Sequence, residues 1–125
     1  MDQKICLDTD ACITILDKRD NYKELLVKLF PVSVYITTIS VFELYLRKTN
    51  IDKVENILKD LEVLSFDSVA ARKSSEILKL LKKSGKMIDI RDLFIASIAV
   101  ANDCTLATFN RKHFKEIDEV QLLDF

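Results

Sequence analysis

Three carboxylates stand where an apolar run hands over to a helix: Asp8 after Ile5-Cys6-Leu7, Glu43 in Ser40-Val41-Phe42-Glu43, and Asp92 in Ile90-Arg91-Asp92-Leu93. They are far apart in the chain, and only a fold that brings strand ends to one edge makes them neighbours. An open parallel sheet does this, because the carboxyl ends of its strands share an edge. Carboxylates gathered there repel one another and push at least one pKa up, unless a dication replaces the missing positive charge. Mg²⁺ or Mn²⁺ takes oxygen ligands and keeps several waters, so such a site can orient a water and polarise a phosphate together. Hydrolysis of a phosphodiester is the natural reaction.

Each acid also has a structural explanation. Ser40 and Glu43 have the spacing of a capping box, and Glu43 stands four residues before Arg47, a helical ion-pair spacing. Asp89 and Asp92 suit a cap and a first-turn acid favoured by the helix dipole. Asp8 is harder to explain this way, since a carboxylate that closes an apolar strand needs partners if water does not reach it. Asp10 reads chiefly as the cap of a helix beginning at Ala11.

The elements that must position these acids follow from periodicity. Residues 4–7 form a short apolar strand, 22–30 a helix stopped by Pro31, and 32–37 a β-branched and aromatic strand. Ser40 opens the next helix. Ile51, Val54, Ile57, Leu58 and Leu61 share one helical face, and 62–66 reads as a third strand. Asp67 or Ser68 caps a helix that carries Ile77, Leu78 and Leu81 inward and ends at Gly85, the one glycine, which suits a left-handed closing residue. An Ala-rich helix over 91–102, a strand over 104–108, a helical turn over 110–114 and a fifth strand over 120–123 complete the chain. Strands alternating with helices predict an α/β domain over residues 1–125, its parallel sheet covered on both faces.

Composition sets outer bounds. With 49% hydrophobic and 31% charged residues, one Gly and one Pro, the chain suits a single core and not a disordered segment. A net charge of −1 argues against a general nucleic-acid coat and leaves room only for a local basic patch. Among the basic residues near the acids in sequence, Arg47, Arg91 and Arg111 are the foremost candidates to hold a phosphate backbone. Cys6, Cys12 and Cys104 have no metal-like spacing and read as buried, reduced thiols of a cytoplasmic protein. Asp8 and Asp10 interrupt the first apolar run, so neither a signal peptide nor a membrane span is expected.

Four segments, in order, carry a family likeness: Leu7-Asp8-Thr9-Asp10; Ser40-Val41-Phe42-Glu43-Leu44; residues 85–96, from Gly85 to Ala96; and residues 106–114, from Leu106 to Phe114. Together they resemble PIN-domain ribonucleases, over nearly the whole chain, and the length is similar to that of the small VapC-type toxins of toxin–antitoxin pairs. The resemblance implies a five-stranded parallel sheet sandwiched between helices, Mg²⁺- or Mn²⁺-dependent cleavage of RNA, a cognate antitoxin and a homodimer. It places Asp8, Glu43 and Asp92 on the family's three core acids. Asn110 falls where many members have a fourth acid and others an asparagine; an amide can hydrogen-bond a water but brings no charge, and Asn110 equally suits the cap of the turn that follows. Thr108, at a strand end, has a hydroxyl able to hold Asp8 or a water, and His113 reads as a solvated or stacking surface residue.

Other readings compete. A nuclease of this family that processes RNA without an antitoxin would carry the same acids. A receiver-like phosphotransfer module would use Asp8 and Asp10 for Mg²⁺ and Asp67 as acceptor, yet it leaves Glu43 idle and lacks a lysine closing the fourth or fifth strand. An aspartate-nucleophile phosphatase rests only on Asp8-Thr9-Asp10 and has little room for a cap domain. A metal-free binding module would not respond to magnesium in its melting temperature.

Overall fold

The computed structural model describes residues 3–29 and 32–125. Its elements are β1 (Lys4–Leu7), α1 (Thr9–Leu16), α2 (Tyr22–Leu29), β2 (Ser33–Thr37), α3 (Thr38–Tyr45), α4 (Ile51–Leu58), β3 (Glu62–Leu64), α5 (Ser68–Lys83), α6 (Ile90–Ala101), β4 (Thr105–Ala107) and α7 (Arg111–Phe114). Phe30 and Pro31, the expected end of α2, lie outside the described residues.

The strands pair in parallel in the order β3-β2-β1-β4, so β1 is central, with Cys6 opposite Tyr35 on one side and Leu106 on the other. Among the described residues the sheet has four strands, not the five expected. Where the fifth was placed, a single parallel bridge joins Leu122 to Leu106, through Leu106 N–H to Gln121 O (2.8 Å) and Leu123 N–H to Leu106 O (2.9 Å). The physical reason is the short β4, whose three residues give the last segment little edge to pair with.

Side chains alternate across a strand, and β1 divides its own between two cores. Cys6 joins Leu106 under α5 and α6, with Ile77, Leu81, Leu93, Ala96 and Ala99. Ile5 and Leu7 face the other way, with Ile36 and Ala107, against Cys12, Leu25, Leu44 and Val54 of α1 to α4. Burial on both faces explains why the central strand β1 reads as a continuous apolar run. The fully or nearly fully buried Ala96 and Ala99 let α6 lie close. All three cysteines are free and buried, and burial pushes the Cys12 thiol up to about 12, so it stays protonated.

Helix ends orient the layers. α5 closes as the sequence predicts: Gly85 takes φ +70°, its N–H reaches Lys82 O (3.0 Å), and Lys86 N–H reaches Leu81 O (2.8 Å). Asp67 caps the other end, accepting Ala70 N–H at 2.9 Å. At the sheet edge where β1, β2 and β4 finish, the chain turns at Asp8, Thr37 and Thr108, and these three polar residues are buried.

Candidate active site

Asp8 follows β1 in extended backbone and is the N-cap of α1, its Oδ1 accepting Ala11 N–H at 2.8 Å. The expected cap, Asp10, instead sits in the first turn and pairs with Arg19 at 3.7 Å, because the helix starts two residues earlier than its apolar periodicity suggests. Asp8 is only 4% exposed. Burial pushes its carboxyl up to about 6, opposed by hydrogen bonds from Thr108 and the Ala11 backbone, with Asp10 and Asp92 adding to the rise. A buried carboxylate beside like charges lacks a counter-cation.

Glu43 lies on α3, whose cap is Thr37: its Oγ1 accepts Ser40 N–H at 3.1 Å. The Ser40–Glu43 capping box therefore does not form, since β2 feeds α3 directly and Ser40 falls inside the helix. Its hydroxyl does something else. Thr9 Oγ1 lies 2.6 Å from Glu43 Oε1 and 2.8 Å from Ser40 Oγ, and Thr37 Oγ1 lies 3.5 Å from Ser40 Oγ. A hydroxyl has one proton to give, so Thr9 donates to the carboxylate and accepts from Ser40. This chain, built on the fully buried Thr37 and Ser40, aims Glu43. Sequence reasoning missed it; Thr9, between two acids at a strand end, was the one available signal.

Asp92 occupies the first turn of α6, behind the cap Asp89, which accepts Arg91 N–H at 2.9 Å. Burial raises its pKa, the neighbouring His113 lowers it, and Asp89 and Glu43 raise it again. His113 Nδ1 lies 3.3 Å from Asp92 Oδ2, so this histidine is held against an acid and is not simply solvated. Asn110 caps α7 by position, yet its side chain makes no capping bond; its backbone N–H goes to Thr108 Oγ1 at 2.9 Å.

Asp8, Glu43, Asp92 and Asn110 line one cavity of about 330 Å³, with Thr9, Asp10, Asp89, Arg91 and His113 in the same wall. Of the three arginines singled out from sequence, only Arg91 is here, its Nη1 3.2 Å from Glu43 Oε2 and its Nε 3.7 Å from Asp89. Arg47 is turned to Asp17 in a two-pronged pair (2.9 and 3.2 Å), which also replaces the Glu43–Arg47 pair that the spacing allowed. Arg111 donates to Leu123 O at 2.9 Å and approaches Asp124 at 3.6 Å.

The donor set suits a hard dication of an open kind. Among the described residues no three acids or imidazoles form a ready cage for an ion. Mg²⁺ does not need one, since it binds through one or two carboxylates and keeps waters for the rest of its shell. Five acids facing one guanidinium leave the cavity short of positive charge, and the unmatched, buried Asp8 is the sharpest sign of it. Arg91 supplies to Glu43 part of the positive charge that a dication would bring.

Thr9→Val tests the hydroxyl chain, because valine keeps the shape and removes the donor. Mn²⁺ affinity is expected to fall about 10- to 100-fold, the usual result of losing a group that orients a metal-binding side chain. Calorimetric titration of metal into both proteins measures it, and equal affinities would mean that Glu43 needs no such support.

A family model described as PIN domain matches residues 5–120. "Ribonuclease VapC1" of Methanocaldococcus jannaschii is 33% identical over 122 residues, which are 97% of this chain and 86% of that protein. "Ribonuclease VapC2" of Rickettsia felis is 30% identical over 125 residues, covering 93% of each. Among solved structures, VapBC2 from Rickettsia felis bound to a DNA fragment from its promoter superposes with a TM-score of 0.86 at 28% identity, over 98% of this chain and 99% of that one. DNA-bound VapBC from Salmonella typhimurium gives 0.87 at 26% identity, over 98% of both. A parallel sheet between helices, acids gathered where its strands end, and likeness over almost the full length lead to one assignment: the chain belongs to the PIN domain family.

Proposed function

We propose that this chain is a metal-dependent endoribonuclease, acting as the toxin of a toxin–antitoxin pair, with residues 1–125 as one PIN-like domain. The observation that carries the reading is the meeting of Asp8, Glu43 and Asp92 on one cavity in a chain of this family. Relatives named as ribonucleases and complexes named VapBC supply the substrate class and the partner.

Asp8, Glu43 and Asp92 would hold Mg²⁺ or Mn²⁺, directly or through its waters. When bound, the dication supplies the positive charge that acidifies an attacking water and offsets charge building on the phosphate. Thr9 keeps the Glu43 carboxylate aimed, Asn110 offers its amide to a water, and Arg91, once free of Glu43, is placed to meet a phosphate oxygen. His113 steadies Asp92. Arg47 and Arg111 are engaged with Asp17 and with Leu123 and Asp124, and neither lines the acid cavity. Exposed Phe42, Tyr45 and Leu46, on and just after α3, offer an apolar surface to an antitoxin or to a second copy in a homodimer. No helix among the described residues is long and apolar enough to cross a membrane.

The phosphotransfer alternative loses its acceptor, because Asp67 is spent as the α5 cap and is not among the residues lining the acid cavity. A housekeeping nuclease is separated from a toxin by expression in a naive host: growth arrest, relieved by a short neighbouring reading frame, is expected. For the chemistry itself, end-labelled single-stranded RNA is mixed with purified protein in EDTA and then in excess Mg²⁺ or Mn²⁺. Internal cuts in metal alone are expected, and intact RNA in both metals would refute the reading.

A further inference from the structure

A second cavity, of about 450 Å³, lies against the acid one and shares Asp89, Asp92 and His113 with it. Its volume is in the range that holds a small organic ligand, roughly 300–1,000 Å³. Its floor is apolar, made by the buried Leu81 and Ile117 and the half-buried Ile88, while Met87, 97% exposed, stands in the same lining. Two exposed lysines, Lys112 and Lys115, and Glu116, whose carboxylate is turned to Lys86, complete it. Neighbouring Lys86 and Lys73 are neutralised by Glu116 and Glu119, whereas Lys112 and Lys115 make no ion pair among the described residues.

These features describe a particular kind of ligand. An apolar floor accepts a flat ring, free ammonium groups at the side accept an anion, and the shared wall joins both to the carboxylates that would hold the metal. His113, fixed by Asp92 at the junction, adds an imidazole of the sort that stacks on unpaired bases. A basic peptide would pair with Asp89 and Asp92 at the shared wall but would meet Lys112 and Lys115 as like charges, whereas a nucleotide phosphate is attracted to that lysine side. We infer that this groove is a nucleotide subsite, taking the unpaired base and sugar beside the cleaved phosphate, with Lys112 and Lys115 on the flanking phosphate. The inference rests on the ribonuclease reading and deepens it: the groove, and not the acid cavity, selects the base at the cut.

Two measurements separate the subsite from the hydrolytic reading. In the first, metal-free protein with labelled methyl groups is titrated with each ribonucleoside 5′-monophosphate and followed by NMR. Saturable shifts are expected at the methyls of Leu81, Ile88 and Ile117, with affinity about three- to tenfold weaker in the Lys112→Ala/Lys115→Ala variant, since both contacts are to phosphate. In the second, a mapped RNA substrate receives one abasic ribose at each position around the cut. Loss of a stacked base is expected to slow cleavage about tenfold at one position on one side only. Silent groove methyls, or a flat abasic scan, would overturn the subsite even if RNA is cut normally. Groove methyls that respond to a basic peptide and not to nucleotides would also overturn it, and would assign the groove to a protein partner. Shifted methyls with RNA left intact would keep the nucleotide site and remove the hydrolase reading instead.

Discussion

Asp8→Asn and Asp92→Asn are each expected to lower metal-dependent RNA cleavage by about 100-fold or more in a protein that stays folded. Losing a group that merely supports a metal ligand costs about 10- to 100-fold, so removing the charge from a carboxylate that itself holds the ion should cost at least the upper end. The fold survives for a local reason. Asparagine is as good an N-cap as aspartate, and its carbonyl oxygen can still accept Ala11 N–H at the start of α1. At Asp92 the side chain accepts no backbone bond, so an amide of the same size leaves α6 intact. Initial rates on labelled RNA at saturating Mg²⁺, with circular dichroism on the same samples, measure the effect. A folded Asp92→Asn protein that cuts at the wild-type rate would remove Asp92 from the mechanism.

Without metal, the protein is expected to lose about 2–3 kcal/mol of stability through Asp8 as pH rises from 4 to above 6. The folded carboxyl has its pKa near 6, while in the unfolded chain the same group titrates near 3.9. Between these values the folded state keeps a proton that the unfolded state has released. Stability from this group is therefore fully present below the unfolded pKa and is lost as pH climbs through the folded one. Asp92, raised in the same direction, adds to the slope. Asp17 and Glu116 are lowered by Arg47 and Lys86 and act in the opposite direction, at more acid pH. Urea titrations in EDTA at several pH values isolate Asp8 by difference, with Asp8→Asn expected to be the more stable protein at pH 7 and equal to wild type near pH 4. A variant less stable than wild type at both values would mean that Asp8 is not a strained carboxylate, and the argument for a missing cation would lose its main support.

The acids were legible as a set because each follows an element boundary that the sequence marks clearly: an apolar strand before Asp8, a β-branched strand before α3, an Ala-rich helix after Asp92. Alternation of strands and helices then required a parallel sheet, and a parallel sheet brings such boundaries to one edge. Boundaries themselves were less legible. Asp8, Thr9 and Asp10 are all good capping residues, and only the early turn out of β1 picks Asp8. Thr37 ends a strand, as its β-branched run predicts, but it also caps α3, and that second role places Ser40 inside the helix next to Thr9. Pairings between distant elements were not legible at all. Arg47 turning to Asp17, and His113 resting on Asp92, depend on how α1, α3, α6 and α7 pack, and no spacing along the chain records it. The last strand failed for a similar reason, since its length is set by the three residues that β4 offers and not by its own apolar run.

The metal position is the central claim, and anomalous diffraction from a crystal grown in Mn²⁺ tests it most directly. The account predicts a peak within bonding distance of carboxylate oxygens of Asp8 and Asp92, with Arg91 turned away from Glu43. A cavity without manganese at saturating concentration, with Arg91 still paired to Glu43, would contradict it.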